Sequence, residues 1–264
     1  MHNRGVNTDL AGVIEGIQVK GNTKHGGTYR SEAVTRHYLT WCGKGGKKPF
    51  RSAEYQKDGP TAERFIEASQ GIWEEASEIL RELLPGKWKN MMRWKYPEGM
   101  ERLAGVWSGC AVNIGSKEKP VETAVHRDVG ESPHLFSVLT AFGDYNEADV
   151  ELWEVGVKVK MRPGDLLIFS DAIIHHSNTT VTGVCHSVVA FTPKNMFDWF
   201  TREYQRSRKE VDLMQRRKVK KNKLKKAAKM MAKEKQKGAG TKSKRKSRGN
   251  LKLGRRRHKK KSSL

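Results

Sequence analysis

His126 and Asp128 are the residues of this sequence whose types and spacing most directly suggest metal chemistry. In an extended segment, residues two positions apart point to the same face, so this imidazole and this carboxylate can bind one ion. A third ligand must then come from a distant strand. His175 and His176 follow the turn Pro163-Gly164-Asp165 and an apolar run at Leu166–Phe169, which places them where a neighbouring strand would return.

Two histidines and one carboxylate on one side of an ion leave its other side open, which is the arrangement that non-haem Fe(II) oxygenases use. Dioxygen and a bidentate oxo-acid can occupy the open positions. A His-x-Asp triplet also arises by chance, so a triplet without function is the alternative.

The elements that must position these residues are predicted from hydrophobic periodicity. Thr61–Leu84 has apolar residues at helical spacing and ends at Pro85-Gly86, whereas residues 1–60 predict short strands and loops. After Leu103 the period becomes that of strands. The predicted strands are Gly105–Ile114, Leu135–Phe142, Val150–Val159, Leu166–Phe169, Ile173–His176 and Val184–Thr192.

Six short strands after a helical segment predict a mostly β fold with flanking helices, an antiparallel sandwich or barrel of the α+β class. We expect one globular domain, in which residues 1–100 form a helical and irregular support region and residues 101–205 form the β core. Asn195–Tyr204 closes this domain with Phe197, Trp199 and Phe200.

Residues 206–264 are predicted to be a disordered polybasic tail. They hold 27 of the 52 lysines and arginines but only three of the 29 acidic residues, and they contain no aromatic residue. Such a segment cannot bury enough surface to offset the entropy of ordering, although residues 210–235 could form a transient helix when bound. The remaining 205 residues are close to neutral.

Clustered cations in the tail predict binding to nucleic acid, with DNA favoured over RNA, and affinity that falls steeply with salt. The clusters also fit nuclear import signals, so we expect a nuclear protein. A merely solubilising tail is the alternative, and membrane binding is not expected because aromatic anchors are missing. The residues proposed for nucleic-acid contact are Arg216, Arg217, Lys218, Lys244, Arg245, Lys246, Arg255, Arg256 and Arg257.

Cys42, Cys110 and Cys185 are widely spaced and match neither a zinc pattern nor a disulfide framework, which fits a reducing compartment. No window approaches the ~18 consecutive apolar residues of a membrane span, and the N-terminus lacks a signal-peptide pattern. We therefore expect a soluble intracellular protein.

The stretch from Cys110 to Phe200 resembles the jelly-roll core of Fe(II)/2-oxoglutarate dioxygenases, and most of all the TET/JBP-like branch that includes transposon-associated fungal members. The resemblance rests on VHRD at 125–128, LTAFGDYN at 139–146, ELWEVGVKVKMRPGDLLIFSDAIIHHSN at 151–178 and HSVVAFTPKNMFDWF at 186–200. It implies a cupin-like double-stranded β-helix, Fe(II) and 2-oxoglutarate as cofactors, and oxidation of a nucleic-acid base such as 5-methylcytosine.

The same resemblance implies His126, Asp128 and His176 as the metal ligands. In the family, the distal histidine directly precedes a Ser-Asn pair, which here is Ser177-Asn178. His175 is then expected to point away from the metal.

The chain departs from the family at the residue that binds the distal carboxylate of 2-oxoglutarate. Family members usually have an arginine there, but this chain has Cys185, followed by His186 and Ser187. A thiol cannot form the bidentate ion pair of a guanidinium. Three interpretations stay open. Protonated His186 or a lysine such as Lys158 or Lys160 binds the oxo-acid, or another reductant is used. In the third, the domain binds metal weakly and is no longer an enzyme but a nucleic-acid or chromatin-binding protein.

Four aromatic residues of the predicted core, Phe136, Trp153, Phe169 and Phe191, allow two interpretations. They could stack on bases, or they could fill the protein interior. Alternation along the predicted strands favours the interior.

Overall fold

The computed structural model describes Leu10, Val13, Ile14, Ile17 and residues 34–46, 48–146, 148–179 and 181–258 of this chain. The chain divides into two compact units, Met1–Tyr204 and Gln205–Leu264. Within the described residues, no helix combines the length and apolar character needed to cross a lipid bilayer.

Ten β-strands occur in the described part of the first unit. In chain order they are β1 (Val34–Trp41), β2 (Phe50–Arg51), β3 (Gly109–Ile114), β4 (Thr123–His126), β5 (Ser137–Asn146), β6 (Asp149–Leu152), β7 (Val157–Lys160), β8 (Leu166–Phe169), β9 (His176–Asn178) and β10 (Thr182–Phe191). They form a six-stranded sheet in the order β2-β1-β3-β10-β5-β8 and a four-stranded sheet in the order β4-β9-β6-β7. All pairings are antiparallel.

The two faces of the large sheet have different roles, because side chains alternate along each strand. On β10, His186, Val188 and Ala190 point to one face, whereas the residues between them point to the other. Val188 and Ala190 belong to the main hydrophobic core. Cys185 belongs to a second apolar cluster that includes residues of the small sheet, such as Val150. The two sheets therefore enclose the second cluster.

Four short helices follow β2 and precede β3: α1 (Ala53–Asp58), α2 (Pro60–Ala68), α3 (Gln70–Leu83) and α4 (Pro85–Met92). Their apolar residues, including Phe65, Trp73 and Leu80, share the main core with Tyr38 and Val188 of the large sheet. Helices thus cover one face of the large sheet, and the small sheet covers the other. The predicted mostly β, jelly-roll-like fold with flanking helices is confirmed.

The segment Thr61–Leu84, predicted to be one helix, contains two helices, because the helical conformation is interrupted at Ser69. The Ser69 hydroxyl donates to the carbonyl of Ile66 at 3.1 Å and accepts from the Trp73 indole N–H at 2.9 Å. These local hydrogen bonds of the buried Ser69 hydroxyl compete with the backbone hydrogen bonds of the helix. Pro85 does not end the helical region but begins α4, where its missing N–H is not needed.

Strand boundaries also differ from the prediction. Val150–Val159 is not one strand: β6 and β7 are joined by a 3₁₀ turn, Trp153–Val155, and Gly156 then adopts a left-handed conformation with φ 63°. The strand predicted at Ile173–His176 instead begins at His176. Residues 1–100 were predicted to form a helical and irregular support region outside the β core. Within them, β1 pairs with β3 along six residues and is part of the large sheet.

The last helix, α5 (Lys194–His258), continues into the polybasic segment, and the disorder of this segment in the unbound protein stays a prediction. Lysine, arginine, alanine and methionine are strong helix formers, and helical hydrogen bonds are local, so this conformation needs no core. The side chains of residues 205–227 are exposed. Among them, Arg216 pairs with Asp212 one turn earlier at 2.9 Å. The side chains of the predicted contact residues from Lys244 onward lie outside the described residues.

Candidate metal centre

His126, Asp128 and His176 come together at one end of the small sheet. His126 ends β4 and His176 begins β9, and the two residues are directly opposite in the antiparallel pairing. Asp128 lies in the loop after β4, where its N–H donates to the carbonyl of Asp171 at 3.0 Å. Strand pairing and this backbone contact therefore position all three side chains.

The ligand atoms of these three residues all lie within 4.8 Å of one another. His126 Nε2 is 4.0 Å from Asp128 Oδ1, and His176 Nε2 is 3.8 Å from Asp128 Oδ2. The centroids of the two imidazole rings are 4.2 Å apart. Because metal bonds to nitrogen and oxygen are about 2.0–2.2 Å long, separations of this size suit ligands of one cation.

The other nitrogen of each imidazole has a backbone partner. Nδ1 of His126 donates to the carbonyl of Ala124 at 2.7 Å, and Nδ1 of His176 donates to the carbonyl of Ile174 at 3.0 Å. These hydrogen bonds place the proton on Nδ1 and turn Nε2 towards Asp128. The Phe169 and His176 rings also pack in a T-shaped arrangement, with centroids 5.1 Å apart.

Two buried acids, Glu131 and Asp171, lie next to Asp128 and were not identified from the sequence. Ser137 donates a hydrogen bond to Glu131 at 2.8 Å. Burial, followed by the charges of Asp171 and Asp128, raises the pKa of Glu131 well above its usual value. Burial and the charge of Asp128 also raise the pKa of Asp171. Burial therefore disfavours the charged form of both carboxyl groups beside Asp128. Asp171 could have been found from the sequence, because it is an acidic residue just after the predicted strand Leu166–Phe169.

The donor set of the three residues fits iron(II). Two neutral imidazoles and one carboxylate, grouped on one side, are the ligands typical of mononuclear non-haem iron sites. The backbone acceptors at both Nδ1 atoms supply the orientation that ligating histidines need.

A cavity between the two sheets opens beside this centre. Its polar end contains a chain of hydrogen bonds: Thr35 donates to Asn113 Oδ1 at 2.9 Å, and Asn113 Nδ2 donates to Ser187 Oγ at 3.0 Å. Most of the other lining residues are apolar. They include Leu139, Ala141, Ala148, Val150, Met161, Phe169, Val181, Cys185 and Val189.

The three residues predicted to contact the oxo-acid on β10 divide between the two faces of the sheet. Cys185 and Ser187 line the cavity. His186 does not line it: its side chain is buried on the helix-covered face, in register with Phe142 of β5. The interpretation that His186 binds the oxo-acid is wrong, because neighbouring residues of a strand point to opposite faces.

Neither lysine proposed as an alternative cation lines the cavity. Lys158 pairs with Asp149 at 3.4 Å and with Glu151 at 3.8 Å across the β6–β7 ladder. Lys160, at the end of the edge strand β7, is exposed. Among the residues that the structure describes, no lysine or arginine lines the cavity. The lining therefore fits iron(II) but not the distal carboxylate of 2-oxoglutarate.

A groove lies on the other side of Asp128. It is formed by the β1–β2 region, the loop after β4 and the end of β10, and it contains the exposed aromatic residues Trp41 and Phe50. Arg127 and Phe191 also line it. Asp128 lines both the cavity and the groove, whereas His126 and His176 line the cavity and not the groove.

The remaining predicted residues lie as follows. His175 Nδ1 contacts a carboxylate oxygen of Glu154, away from the three ligands. Phe169 and Phe191 are buried, and Phe136 is half-buried against the main core. Trp153 differs from the expected core position, since 55% of it is exposed. The reason is that it begins the 3₁₀ turn, where its indole N–H donates a hydrogen bond to Ser177 at 3.0 Å.

Residues 35–193 match the Tet/JBP family, described as the oxygenase domain of the 2OGFeDO superfamily. The chain belongs to this family. The match begins in β1 and ends just after β10, so it includes both sheets and the helices between them. It confirms the resemblance found in the sequence.

Comparison with solved structures agrees with this fold. NgTET1 in complex with 5mC DNA has a TM-score of 0.55 and 15% identity, covering 74% of this chain and 70% of that one. OsALKBH1 has a TM-score of 0.42 and 17% identity, covering 70% and 91%. A 2OG-Fe(II) oxygenase family oxidoreductase from Burkholderia pseudomallei has a TM-score of 0.41 and 15% identity, covering 72% and 81%. No curated protein matches the chain.

Proposed function

We propose that this protein is an iron(II)-dependent oxygenase that oxidises a nucleic-acid base, with a 5-methylpyrimidine such as 5-methylcytosine as the substrate. The observation that carries the proposal is the convergence of His126, Asp128 and His176 at the cavity, with Asp128 also lining the groove. Membership of the oxygenase family supports the reaction class. The DNA substrate is supported by the similarity to NgTET1, a protein whose structure contains 5mC DNA.

In this proposal, His126, Asp128 and His176 hold the metal through Nε2, a carboxylate oxygen and Nε2. Iron(II) bound there supplies the redox centre for dioxygen chemistry. The backbone carbonyls at Nδ1 keep both imidazoles oriented, so binding requires little rearrangement. Phe169 and the apolar cavity wall exclude water from the reacting side of the site.

The groove is the proposed position of the base. A base inside a duplex is inaccessible, so it would have to rotate out of the stack and enter the groove beside Asp128. Trp41 and Phe50 offer flat apolar surfaces for stacking, and Arg127 offers a cation for a flanking phosphate.

The polybasic segment is proposed to raise the local concentration of substrate. Its cations would neutralise DNA phosphates without sequence preference and release counterions. A nuclear location would bring the protein to DNA, and the basic clusters suit import into the nucleus. This function is independent of the metal centre.

The test is anaerobic calorimetric titration of the full-length protein with Fe(II). We expect one site per chain in the wild type, loss of that site in His176→Ala, and no change in His175→Ala. The second variant is a matched control, because His175 is adjacent in sequence but contacts Glu154. Equal binding by the two variants would exclude the proposed centre.

Activity is then measured by mass spectrometry of bases from methylated DNA incubated with Fe(II), ascorbate and a 2-oxo acid. We expect oxidised 5-methylcytosine with the wild type and His175→Ala, and none with His176→Ala.

A second candidate function is a nucleic-acid-binding protein without catalysis. The observation that favours it is the missing cation in the described cavity lining. Iron binding without any oxidised base, across a panel of 2-oxo acids, would favour this function over the oxygenase.

A further inference from the structure

The cavity lining is acidic or neutral in the described residues, which disfavours a dicarboxylate. Glu122, Asp128 and Asp171 line the cavity, whereas no lysine or arginine among the described residues does so. A dianion bound here would keep one negative charge after its 2-oxo acid end met the metal. That second carboxylate would face acidic and neutral groups only, and a buried charge without a counter-ion is strongly unfavourable.

The wall around Cys185 is apolar. Cys185 is buried and belongs to a cluster with Ala141, Ala148, Met161 and Val181. Burial raises the pKa of the Cys185 thiol to about 12, which reflects how poorly this wall supports negative charge. An apolar wall of this kind favours contact with a hydrocarbon group of a bound molecule, because both surfaces are then removed from water.

The polar end of the cavity does not replace the missing cation. Thr35, Asn113 and Ser187 are neutral, and their hydrogen bonds run from one to the next. The hydroxyl proton of Thr35 and one amide proton of Asn113 are thereby already used within the chain of hydrogen bonds. The second amide proton of Asn113 and the hydroxyl proton of Ser187 can still be donated, so a carboxylate placed there would meet neutral donors but no cation among the described lining residues.

From these observations we propose that the co-substrate is a 2-oxo monocarboxylic acid with a short, uncharged aliphatic side chain, of the type of 2-oxobutanoate or 4-methyl-2-oxopentanoate, and not 2-oxoglutarate. The inference rests on the proposed function of the metal centre. The side chain of the oxo-acid packs against the wall formed by Ala141, Met161, Val181 and Cys185.

The overall reaction balances with this co-substrate. One oxygen atom of dioxygen enters a C–H bond of the base to give an alcohol. The other enters the 2-oxo acid, which loses carbon dioxide and becomes the carboxylic acid one carbon shorter. The two electrons from the C–H bond and the two from the oxo-acid together reduce dioxygen.

The direct test is calorimetric titration of anaerobic, Fe(II)-loaded full-length protein with 2-oxobutanoate, 4-methyl-2-oxopentanoate and 2-oxoglutarate. We expect at least one aliphatic acid to bind about tenfold or more tightly than 2-oxoglutarate, which corresponds to one unpaired buried carboxylate. Equal or tighter binding of 2-oxoglutarate would overturn this inference and leave the proposed oxygenase intact. Binding of none of the three acids would instead contradict the oxygenase function and the inference with it.

A pair of variants locates the selectivity. Cys185→Arg places a cation on the cavity wall and is expected to strengthen 2-oxoglutarate binding about ten- to hundredfold. Cys185→Met fills similar space without charge and should keep the preference for aliphatic acids. A folded arginine variant with unchanged preference would overturn the assignment of the side-chain pocket to Cys185. The wild-type titration decides the co-substrate even where the arginine variant fails to fold.

Discussion

Arg36 is a buried cation on the helix-covered face of the large sheet. Its Nε lies 3.4 Å from Asp58 Oδ2, and the same oxygen accepts a hydrogen bond from the Tyr38 hydroxyl at 2.8 Å. Burial, and then the hydrogen bond and charge of Asp58, raise the pKa of Tyr38. Asp58 therefore ties the end of α1 to two residues of β1.

Removing Asp58 should be costly because Arg36 would stay buried without its counter-ion. We expect Asp58→Ala to lower the free energy of unfolding by about 3 kcal/mol. Glu63→Ala is the matched control, since Arg51 and Glu63 are also 3.4 Å apart but are 37% and 60% exposed, against 5% and 15% for Arg36 and Asp58. The control should lose at most about 1 kcal/mol in urea unfolding. Similar losses in both variants would contradict this account.

The pairing of β5 with β10 depends on glycine at two positions. Gly143 and Gly183 have φ angles of 118° and 115°. A Cβ at Gly143 would lie 2.2 Å from the carbonyl oxygen of Val184, and one at Gly183 would lie 2.4 Å from that of Asp144. Because Gly143 is directly opposite Cys185, this close backbone approach positions the cavity wall.

Gly143→Ala should therefore destabilise the protein, because both the backbone conformation and the carbonyl of Val184 oppose a side chain. We expect a loss of more than about 1 kcal/mol in the free energy of unfolding. Gly71→Ala in α3 is the control, since no atom lies within 4 Å of the position of its Cβ. That variant should be neutral or more stable by up to ~1 kcal/mol. An unchanged free energy of unfolding in Gly143→Ala would show that the paired strands β5 and β10 can shift to accommodate the methyl group.

For the whole molecule, the uneven distribution of charge predicts that the second unit binds DNA and that the first unit binds the metal. Deleting residues 206–264 should remove most DNA affinity and flatten its dependence on salt, because 27 lysines and arginines are lost with them. Fe(II) binding should be unchanged, since all three candidate ligands lie in the first unit. Fluorescence anisotropy with labelled duplex DNA at several salt concentrations measures the slope.

A variant in which the basic residues of 255–261 are replaced by glutamine provides the matched control for length. It should give an intermediate slope. A salt slope that is identical in the full-length and deleted proteins would contradict a role of the segment in DNA binding.

The sequence by itself determined the features that depend on local order. His126 and Asp128 are two positions apart, so an extended backbone places them on one face, and the resemblance added His176 through Ser177-Asn178. Strand periodicity predicted most of the β core, because apolar alternation reflects burial of one face. The concentration of charge after residue 205 likewise needed no structure.

Only the tertiary structure decided which side chains share the cavity. Alternation separates His186 from Cys185 and Ser187, but the packing of helices on one face and the small sheet on the other decides which of them faces the metal centre. The same packing excludes Lys158 from the cavity and brings in Asp171 from the turn after β8 and Thr35 from β1. Such contacts join residues far apart in the chain, and no local pattern encodes the distance between them.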